Sequence, residues 1–217
     1  MCVTLLTSKH KLMTKRRLET TNQILQAASE LFLKQGFRNV SVDLIASHAR
    51  TTKVTVYQHF KSKEMILLEC LSLRITNREA ALDAHFGNDP TATPAIMLEF
   101  FDWMEISAKK GKFVGCAFTK AVNEMSETLP EVRHIAQRAK QLLRDRLIFL
   151  ATSNSLRDPA SLGDELATLL EGAQALSLIE RRSRPFASAR ASAIKLLAFH
   201  GWTPPTGKTS LRAARHP

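Results

Sequence analysis

Aromatic residues are scarce in this chain: they make up 6% of its 217 residues, and only one of them is a tyrosine. Sheet proteins are rich in aromatic and β-branched side chains, and no segment here alternates apolar and polar residues convincingly over the length of a strand. Alanine and leucine are plentiful instead. We therefore expect an all-α fold.

Cysteine is also scarce, with Cys2, Cys70 and Cys116 as the only three. An odd number without a CxxC pair argues against a disulfide framework and indicates a reducing compartment. No ligand pairs stand at metal-binding spacing, so we expect no metal ion and no cofactor. Cys116 could sense oxidants, but its cationic neighbours in sequence are only Lys112 and Lys120, and a packing role is the simpler interpretation.

Long apolar runs are missing as well. The sequence contains no stretch of 18 apolar residues, so no membrane span is predicted. The basic N-terminal residues also lack the apolar segment of a signal peptide. We expect residues 1–17 to form a flexible basic extension, residues 201–217 to form a flexible tail, and the protein to be cytoplasmic. Met13 is an alternative start, which leaves open whether residues 1–12 belong to the native protein.

Acidic residues number 20 against 31 lysines and arginines, which gives a net charge of +11 and an isoelectric point near 10.0. This charge suits a polyanionic partner, although it also fits an ordinary basic protein. Catalytic and phosphate-binding motifs such as GxGxxG, the P-loop, HExxH and GxSxG are missing. We therefore expect a protein that is not an enzyme.

What the chain does contain is a distinctive segment, Ser41–Lys63, which predicts two short helices joined by a tight turn. Ser41 is a good N-cap for the first of them, and Thr51 or Thr52 for the second. The second helix carries hydroxyls, one cation and a phenol, which are the groups that contact base edges and phosphates in a major groove. The apolar positions can meet on the other side; these are Val42, Ile45, Ala46, Ala49, Val56 and Phe60.

Helices are also predicted before and after this segment. The first runs from about Thr20 to Gln35, where Gly36 ends it and Phe37 can fold back onto the last turn. Ser62 caps a helix over 63–84, with an apolar stripe of Met65, Leu68, Leu71 and Ile75. Further helices are predicted over 95–110, 116–126, 130–151, 162–182 and 186–199. The apolar side of the 95–110 helix is formed by Ile96, Phe100, Trp103 and Met104.

Residues 18–70 resemble the DNA-binding region of tetracycline-repressor-type (TetR family) transcriptional regulators. The matching elements are Ser41, the Ile45-Ala46 pair, Tyr57-Gln58-His59-Phe60 and Ser62-Lys63-Glu64. Their number and spacing make this a specific signal. Residues 115–140 resemble, less specifically, the ligand domain of one branch of the same family.

The resemblance implies a helix-turn-helix domain over 18–62 and a helical effector-binding and dimerisation domain over 63–200. A homodimer would bind double-stranded DNA at a near-palindromic operator, and a small-molecule effector would release it. The expected mode is repression rather than activation. The rival hypothesis is a helical small-molecule-binding protein or enzyme with an incidental basic N-terminal domain.

The resemblance also implies roles for individual residues. Bases would be contacted by Thr52, Lys53, Val54 and Thr55, and phosphates by Tyr57, His59, Lys63 and Ser41. Two positions depart from the family pattern, because Arg50 and Val54 stand where glycine is common. Arg50 would need a positive φ or a slightly different turn, or it could add a phosphate contact. Val54 offers methyl groups that could contact a thymine methyl.

Two further sets of residues are predicted in the second domain. An apolar effector pocket with a few polar groups could be lined by Trp103, Phe118, Met125 and Gln174. A dimer interface on the last two helices would use Leu170, Ala173, Leu176, Ile179, Ile194 and Leu197. The alternative for both sets is that these side chains only complete the core of the subunit.

Overall fold

A computed structural model describes residues 15–86, 93–111 and 113–203, and these residues contain nine α-helices and no strand. The all-α prediction is confirmed. The helices are α1 (Lys15–Gln35), α2 (Val42–His48), α3 (Lys53–His59), α4 (Lys63–Phe86), α5 (Ala95–Lys109), α6 (Ala117–Met125), α7 (Glu131–Ser153), α8 (Pro159–Glu180) and α9 (Arg184–Phe199).

Hydroxyl side chains begin three of the first four helices. Ser41, Thr52 and Ser62 precede α2, α3 and α4, and each side-chain oxygen accepts the backbone N–H three residues later, at 3.1, 3.1 and 3.2 Å. Each bond satisfies one of the amides that a helix leaves free at its N-terminus. The predicted caps at Ser41 and Ser62 are confirmed, and Thr52 rather than Thr51 caps α3.

The turn between α2 and α3 depends on Arg50. Its φ is 54°, so of the alternatives left open for this position the positive φ is the one that the turn adopts. The Arg50 N–H donates to the carbonyl of Ser47 at 3.1 Å, and the Thr51 N–H donates to the carbonyl of Ala46 at 2.9 Å. These two bonds form a Schellman motif, which usually has glycine at the left-handed position. An arginine there costs about 1–2 kcal/mol of backbone strain, which the rest of the turn offsets.

Two hydrophobic cores hold the helices together. The first joins α1–α3 to the N-terminal half of α4, to α6 and to the first half of α7. The second joins α5, α8 and α9 to Leu82 of α4 and to the second half of α7. Helices α4 and α7 pack against each other, and each contributes residues to both cores. The proposed boundary after residue 62 therefore falls where one core continues into α4.

The buried faces of α4 and α5 differ from the predicted stripes. On α4, Met65 is 42% exposed, and the neighbouring Ile66 and Leu67 are buried in its place. On α5, Trp103 is 41% exposed, and the buried residues are Met97, Leu98 and Phe101. Helical periodicity predicted the helices correctly. It could not fix which part of a broad apolar surface meets the core, because that depends on the neighbouring helices.

The ends of the described chain are more ordered than predicted. Helix α1 begins at Lys15, so residues 15–17 are helical, and the predicted extension could comprise only residues 1–14, which lie outside the described residues. At the other end, the Trp202 N–H donates to the carbonyl of Leu197 at 2.9 Å, and the indole packs against the second core. The predicted tail beyond residue 203 also lies outside the described residues.

Phe186 is the largest fully buried side chain, and its ring meets Phe113 edge-to-face with centroids 5.5 Å apart. We expect Phe186→Ala to lower the free energy of unfolding by about 3–5 kcal/mol, because it removes a buried ring and leaves a cavity. Phe149→Ala is the matched control, since Phe149 is 43% exposed and should cost about 1 kcal/mol or less. Urea unfolding followed by circular dichroism measures both. Equal losses would contradict this account of the second core.

Candidate nucleic-acid interface and its connection to the second core

Helix α3 turns most of its side chains to solvent. Val56 is fully buried beneath it, whereas Val54 is 67% exposed and Tyr57 is 48% exposed. Large exposed apolar side chains grouped on one short helix indicate a binding surface. The second helix of the predicted pair is therefore anchored at one point and presents the rest of its surface outward.

Lys53 stands at the first turn of α3 and forms an ion pair with Asp43, with the nitrogen and oxygen 2.9 Å apart. The hydrogen bond to Asp43, together with its charge, raises the pKa of Lys53. Both side chains are more than half exposed, and an ion pair in water contributes little to stability. The lysine can therefore exchange its carboxylate partner for a phosphate or a base.

The hydroxyls around the turn have structural partners. The oxygens of Thr52 and Thr55 lie 2.9 Å apart, and the Ser41 oxygen caps α2. Ser41, Thr52 and Arg50 are exposed, and Thr55 is half-buried. These four residues thus surround the exposed surface of α3 while two of them hold helix termini in place.

His59 contacts α1 at the far end of α3. Its Nδ1 lies 2.8 Å from the Thr21 hydroxyl, and the Arg17 guanidinium donates to the carbonyl of Gln58 at 3.5 Å. Burial, followed by the charge of Arg17, holds the pKa of His59 below its ordinary value, so the ring is neutral at pH 7. Sequence reasoning missed Thr21 and Gln58 here. The basic run ending at Arg17 was the only signal for this contact.

Lys63 points toward the loop between α1 and α2. Its ammonium donates to the carbonyls of Phe37 and Val40 at 3.0 and 2.9 Å, and lies 4.2 Å from the centroid of the Phe37 ring. These contacts explain its position without nucleic acid. An ammonium has three N–H groups, so one remains for the phosphate contact predicted from the sequence.

Helix α6 connects this region to the rest of the molecule. One Glu124 carboxylate oxygen accepts the backbone N–H groups of Phe37 and Arg38 at 2.7 and 3.2 Å. The Arg38 guanidinium donates back to the carbonyl of Glu124, and Lys120 donates to the carbonyl of Leu33 at 2.8 Å. The last turn of α1 and the loop after it are therefore held by side chains almost 90 residues away, and nothing in the sequence indicated this.

Gly36 permits that close approach. Its φ is 83°, and a Cβ added there would lie 2.7 Å from a carboxylate oxygen of Glu124. Glycine was predicted here because it ends α1, and the structure confirms that role. Glycine also leaves the room that Glu124 occupies.

The four predicted pocket residues lie in different surroundings in the described structure. Phe118 and Met125 are buried in the first core, and Trp103 lies half in solvent beside Phe100 on α5. Gln174 donates to Glu171 on α8 instead. These residue types suited an apolar pocket, but helix packing separated them. Their role in effector binding stays a prediction.

The six predicted interface residues divide into two groups. Leu170, Ala173 and Leu197 are buried in the second core of the same subunit, so the alternative interpretation holds for them, and Ile194 is partly buried against that core. Leu176 and Ile179 are 50% and 76% exposed. Only these last two are fully available to another chain.

Residues 15–86, 93–111 and 113–203 contain no group of three or more histidines, cysteines or carboxylates close enough to hold a metal ion. None of the helices described there is long and apolar enough to cross a membrane.

The fold and the exposed surface of α3 define an all-α protein with an N-terminal helix-turn-helix unit. Residues 24–70 match the family model for bacterial regulatory proteins of the tetR family. Curated relatives agree: FasR, a transcriptional activator of Mycolicibacterium smegmatis, is 39% identical over 61 residues, which are 28% of each chain. The regulator SrpR of Pseudomonas putida is 37% identical over 71 residues, 33% of this chain and 32% of its own.

Solved structures extend the similarity of fold to most of the chain. A TetR-family transcriptional regulator from Streptomyces coelicolor has a TM-score of 0.76 at 22% identity, covering 84% of this chain and 96% of its own. The regulatory protein TetR from Rhodobacter sphaeroides has a TM-score of 0.70 at 24% identity, covering 80% and 96%. The family match is confined to residues 24–70, and the sequence similarity spans only about a third of the length of FasR and SrpR.

The cap at Thr52 generates a testable consequence. We expect Thr52→Ala to lower the free energy of unfolding by about 1 kcal/mol, because the first amides of α3 lose their acceptor. Thr51→Ala in the same turn is the control, since the Thr51 side chain does not cap the helix. Urea midpoints of the two variants measure the difference. A loss for Thr51→Ala as large as that for Thr52→Ala would contradict the assignment.

Proposed function

We propose that the protein is a sequence-specific DNA-binding transcriptional regulator of the repressor type, released from its operator by a small-molecule effector. The observation that carries this proposal is the exposed surface of α3, with Lys53, Val54 and Tyr57 directed to solvent within a region that matches the tetR family model. Such a regulator would act on chromosomal DNA in the cytoplasm.

The dimensions of α3 support insertion into a major groove. Its seven residues span about 10 Å, and a major groove about 12 Å wide admits a single helix. Lys53 and the hydroxyls of Thr52 and Thr55 supply polar contacts to bases, and the two methyl groups of Val54 match a thymine methyl. Tyr57, His59, Ser41 and Arg50 then lie at the edges of that surface as candidates for phosphate contacts.

We expect Lys53→Ala and Tyr57→Ala each to weaken binding to operator DNA by about 5- to 150-fold, because each removes a contact worth about 1–3 kcal/mol. Lys109→Ala is the control, since it removes the same charge from an exposed site on α5. The measurement is fluorescence anisotropy, at several salt concentrations, on a fragment selected from genomic DNA.

Three results would contradict the proposal. Equal affinity for scrambled and selected fragments would indicate a nonspecific DNA-coating protein. No selected fragment at all, including the region beside its own gene, would exclude an operator-binding function. Catalytic turnover that persists in the Lys53→Ala, Tyr57→Ala double variant of a protein that never binds DNA would favour the rival, a helical enzyme.

A homodimer is supported by two exposed stripes on α8 and α9. Both consist of small or apolar side chains at helical spacing, apart from Lys195 on α9, so that two copies can approach closely and form a four-helix bundle. Gly172 has open space beside it. The stripes comprise Thr168, Gly172, Ala175, Leu176 and Ile179 on α8, and Ser188, Ala191, Lys195, Ala198 and Phe199 on α9.

We expect Ile179→Glu to raise the dissociation constant of the dimer at least about 100-fold, because the charge would be buried without a partner. Leu73→Glu is the matched control, since Leu73 is 45% exposed on α4, outside both stripes. Sedimentation velocity over a range of concentrations measures the equilibrium. A dimer of unchanged strength in Ile179→Glu would exclude this surface.

Effector release requires two conformations with different affinities for DNA and for the effector. The connection available for it is α6, which is packed in the first core and capped onto α1 through Lys120 and Glu124. A ligand that shifts α6 would alter the position of the helix-turn-helix unit. This coupling gives the effector a physical route to the DNA-binding surface.

A further inference from the structure

We propose that Cys116 is a covalent attachment site for electrophilic small molecules, and that its adduct acts on DNA binding by displacing α6. The second half of this statement rests on the proposed function, and the first half does not. The electrophiles in question are electron-poor alkenes conjugated to a carbonyl group.

The thiol of Cys116 lies in a polar cluster between α6, α7 and α8. The Lys140 ammonium on α7 donates to Sγ at 3.3 Å and to the Glu171 carboxylate on α8 at 2.6 Å. Gln174 donates to the other oxygen of Glu171 at 3.3 Å. The lysine is therefore held between a carboxylate and the sulfur, with little freedom to leave.

A second cation reaches the cluster from α4. The guanidinium of Arg78 interacts electrostatically with both Cys116 and Glu171, and its Nε is buried with no hydrogen-bond partner among the described residues. Two cations, Arg78 and Lys140, thus face one carboxylate. Buried charges need compensation, and a thiolate at Cys116 would add a second negative charge beside these two cations.

The charge state of the thiol follows from these neighbours. Burial alone would raise the pKa of Cys116, but the charge of Lys140 and hydrogen bonds from Thr119 outweigh it, so the pKa lies below its ordinary value. Cys116 is also the N-cap of α6, at the positive end of the helix dipole. A thiolate, rather than a thiol, is the nucleophile.

Cys70 provides a contrast within the same chain. Its thiol donates to the carbonyl of Leu25 at 3.4 Å, and burial raises its pKa to about 12. Cys116 is only partly buried, and the side chains of Lys140 and Glu171 are 30% and 37% exposed. Cys116 is therefore less buried than Cys70, which is both enclosed and protonated.

The reaction is an addition that needs no oxidant and releases no leaving group. The thiolate attacks the β-carbon of the alkene, a carbon–sulfur bond forms, and the π electrons move onto the carbonyl as an enolate. Lys140 then donates a proton to the α-carbon and is reprotonated from water. The product is a neutral thioether, so the cluster loses the negative charge that balanced its second cation.

The loss of this negative charge would affect α6. Cys116 precedes the helix directly, and on the same nine-residue helix Lys120 contacts the last turn of α1 while Glu124 contacts the loop after it. Nine residues span about 14 Å as a rigid rod. Added bulk and altered charge at one end therefore displace the groups that hold α1 at the other.

The first experiment treats the full-length Cys2→Ser variant with methyl vinyl ketone and follows the adducts by peptide mass spectrometry. We expect Cys116 to react well before Cys70, and Lys140→Met to slow the reaction at pH 7 by about tenfold, since one unit of pKa changes the thiolate fraction that much. Lys140→Arg should retain most of the rate. At high pH, the rate of adduct formation in Lys140→Met should rise to that of the protein that retains Lys140. A purely structural defect would not produce this recovery.

Equal labelling of Cys70 and Cys116, or rates unaffected by Lys140→Met, would overturn the assignment of Cys116. The second experiment measures release from the selected operator, each variant being compared with its own affinity before treatment. We expect at least a tenfold loss in the Cys2→Ser protein and none in the Cys2→Ser, Cys116→Ser protein. An adduct without release would overturn the coupling through α6. Absence of DNA binding before treatment would instead count against the proposed function and leave the adduct result standing.

Discussion

The insertion of α6 into the first core is the interaction on which the rest of the structure depends. Phe118 and Met125 are buried among side chains of the helix-turn-helix unit, although they lie far along the chain from it. Lys120 of the same helix donates to a carbonyl in the last turn of α1, and Glu124 accepts the backbone N–H groups of the loop that follows. Without α6, these groups would lose their partners and the first core would be open on one side. The DNA-binding unit is therefore not an independent module, because the second domain completes its core.

This arrangement lets α3 be exposed at little cost. Helix α3 is only seven residues long and too short to be stable by itself in water. Its order comes from a hydroxyl cap at Thr52, a buried Val56 and the Schellman turn at Arg50. These contacts use backbone groups and one buried face of the helix, so exposed side chains such as Val54 and Tyr57 are not needed to stabilise the fold. A surface that need not stabilise the fold is free to recognise a partner.

The interior of the second domain contains a different kind of constraint. Most of it is apolar, yet Arg78, Lys140, Glu171 and Cys116 bring charge together where α4, α6, α7 and α8 meet. Burying an excess of cations is unfavourable unless nearby anions compensate their charge. A thiolate at Cys116 would do so, and its pKa is lowered chiefly by Lys140, a neighbour distant in sequence. The same cluster lies at the N-terminus of α6, and Lys120 and Glu124 of α6 contact the end of α1 and the loop after it. The cluster is therefore connected through α6 to the helix-turn-helix unit.

Local chemistry was legible in the sequence by itself. Helical periodicity predicted the nine helices to within a few residues, and short-range rules correctly identified the caps at Ser41 and Ser62, because these depend on neighbouring residues. For Arg50 the sequence left a positive φ as one alternative, and the structure adopts it. Only the tertiary structure decided which face of α5 is buried and which apolar residues of α8 and α9 remain outside. It alone placed Glu124 against α1 and Lys140 against Cys116, for which sequence neighbours offered no strong cation. The physical reason is that packing and interior charge depend on pairs of residues separated by tens of positions, whose proximity no local pattern encodes.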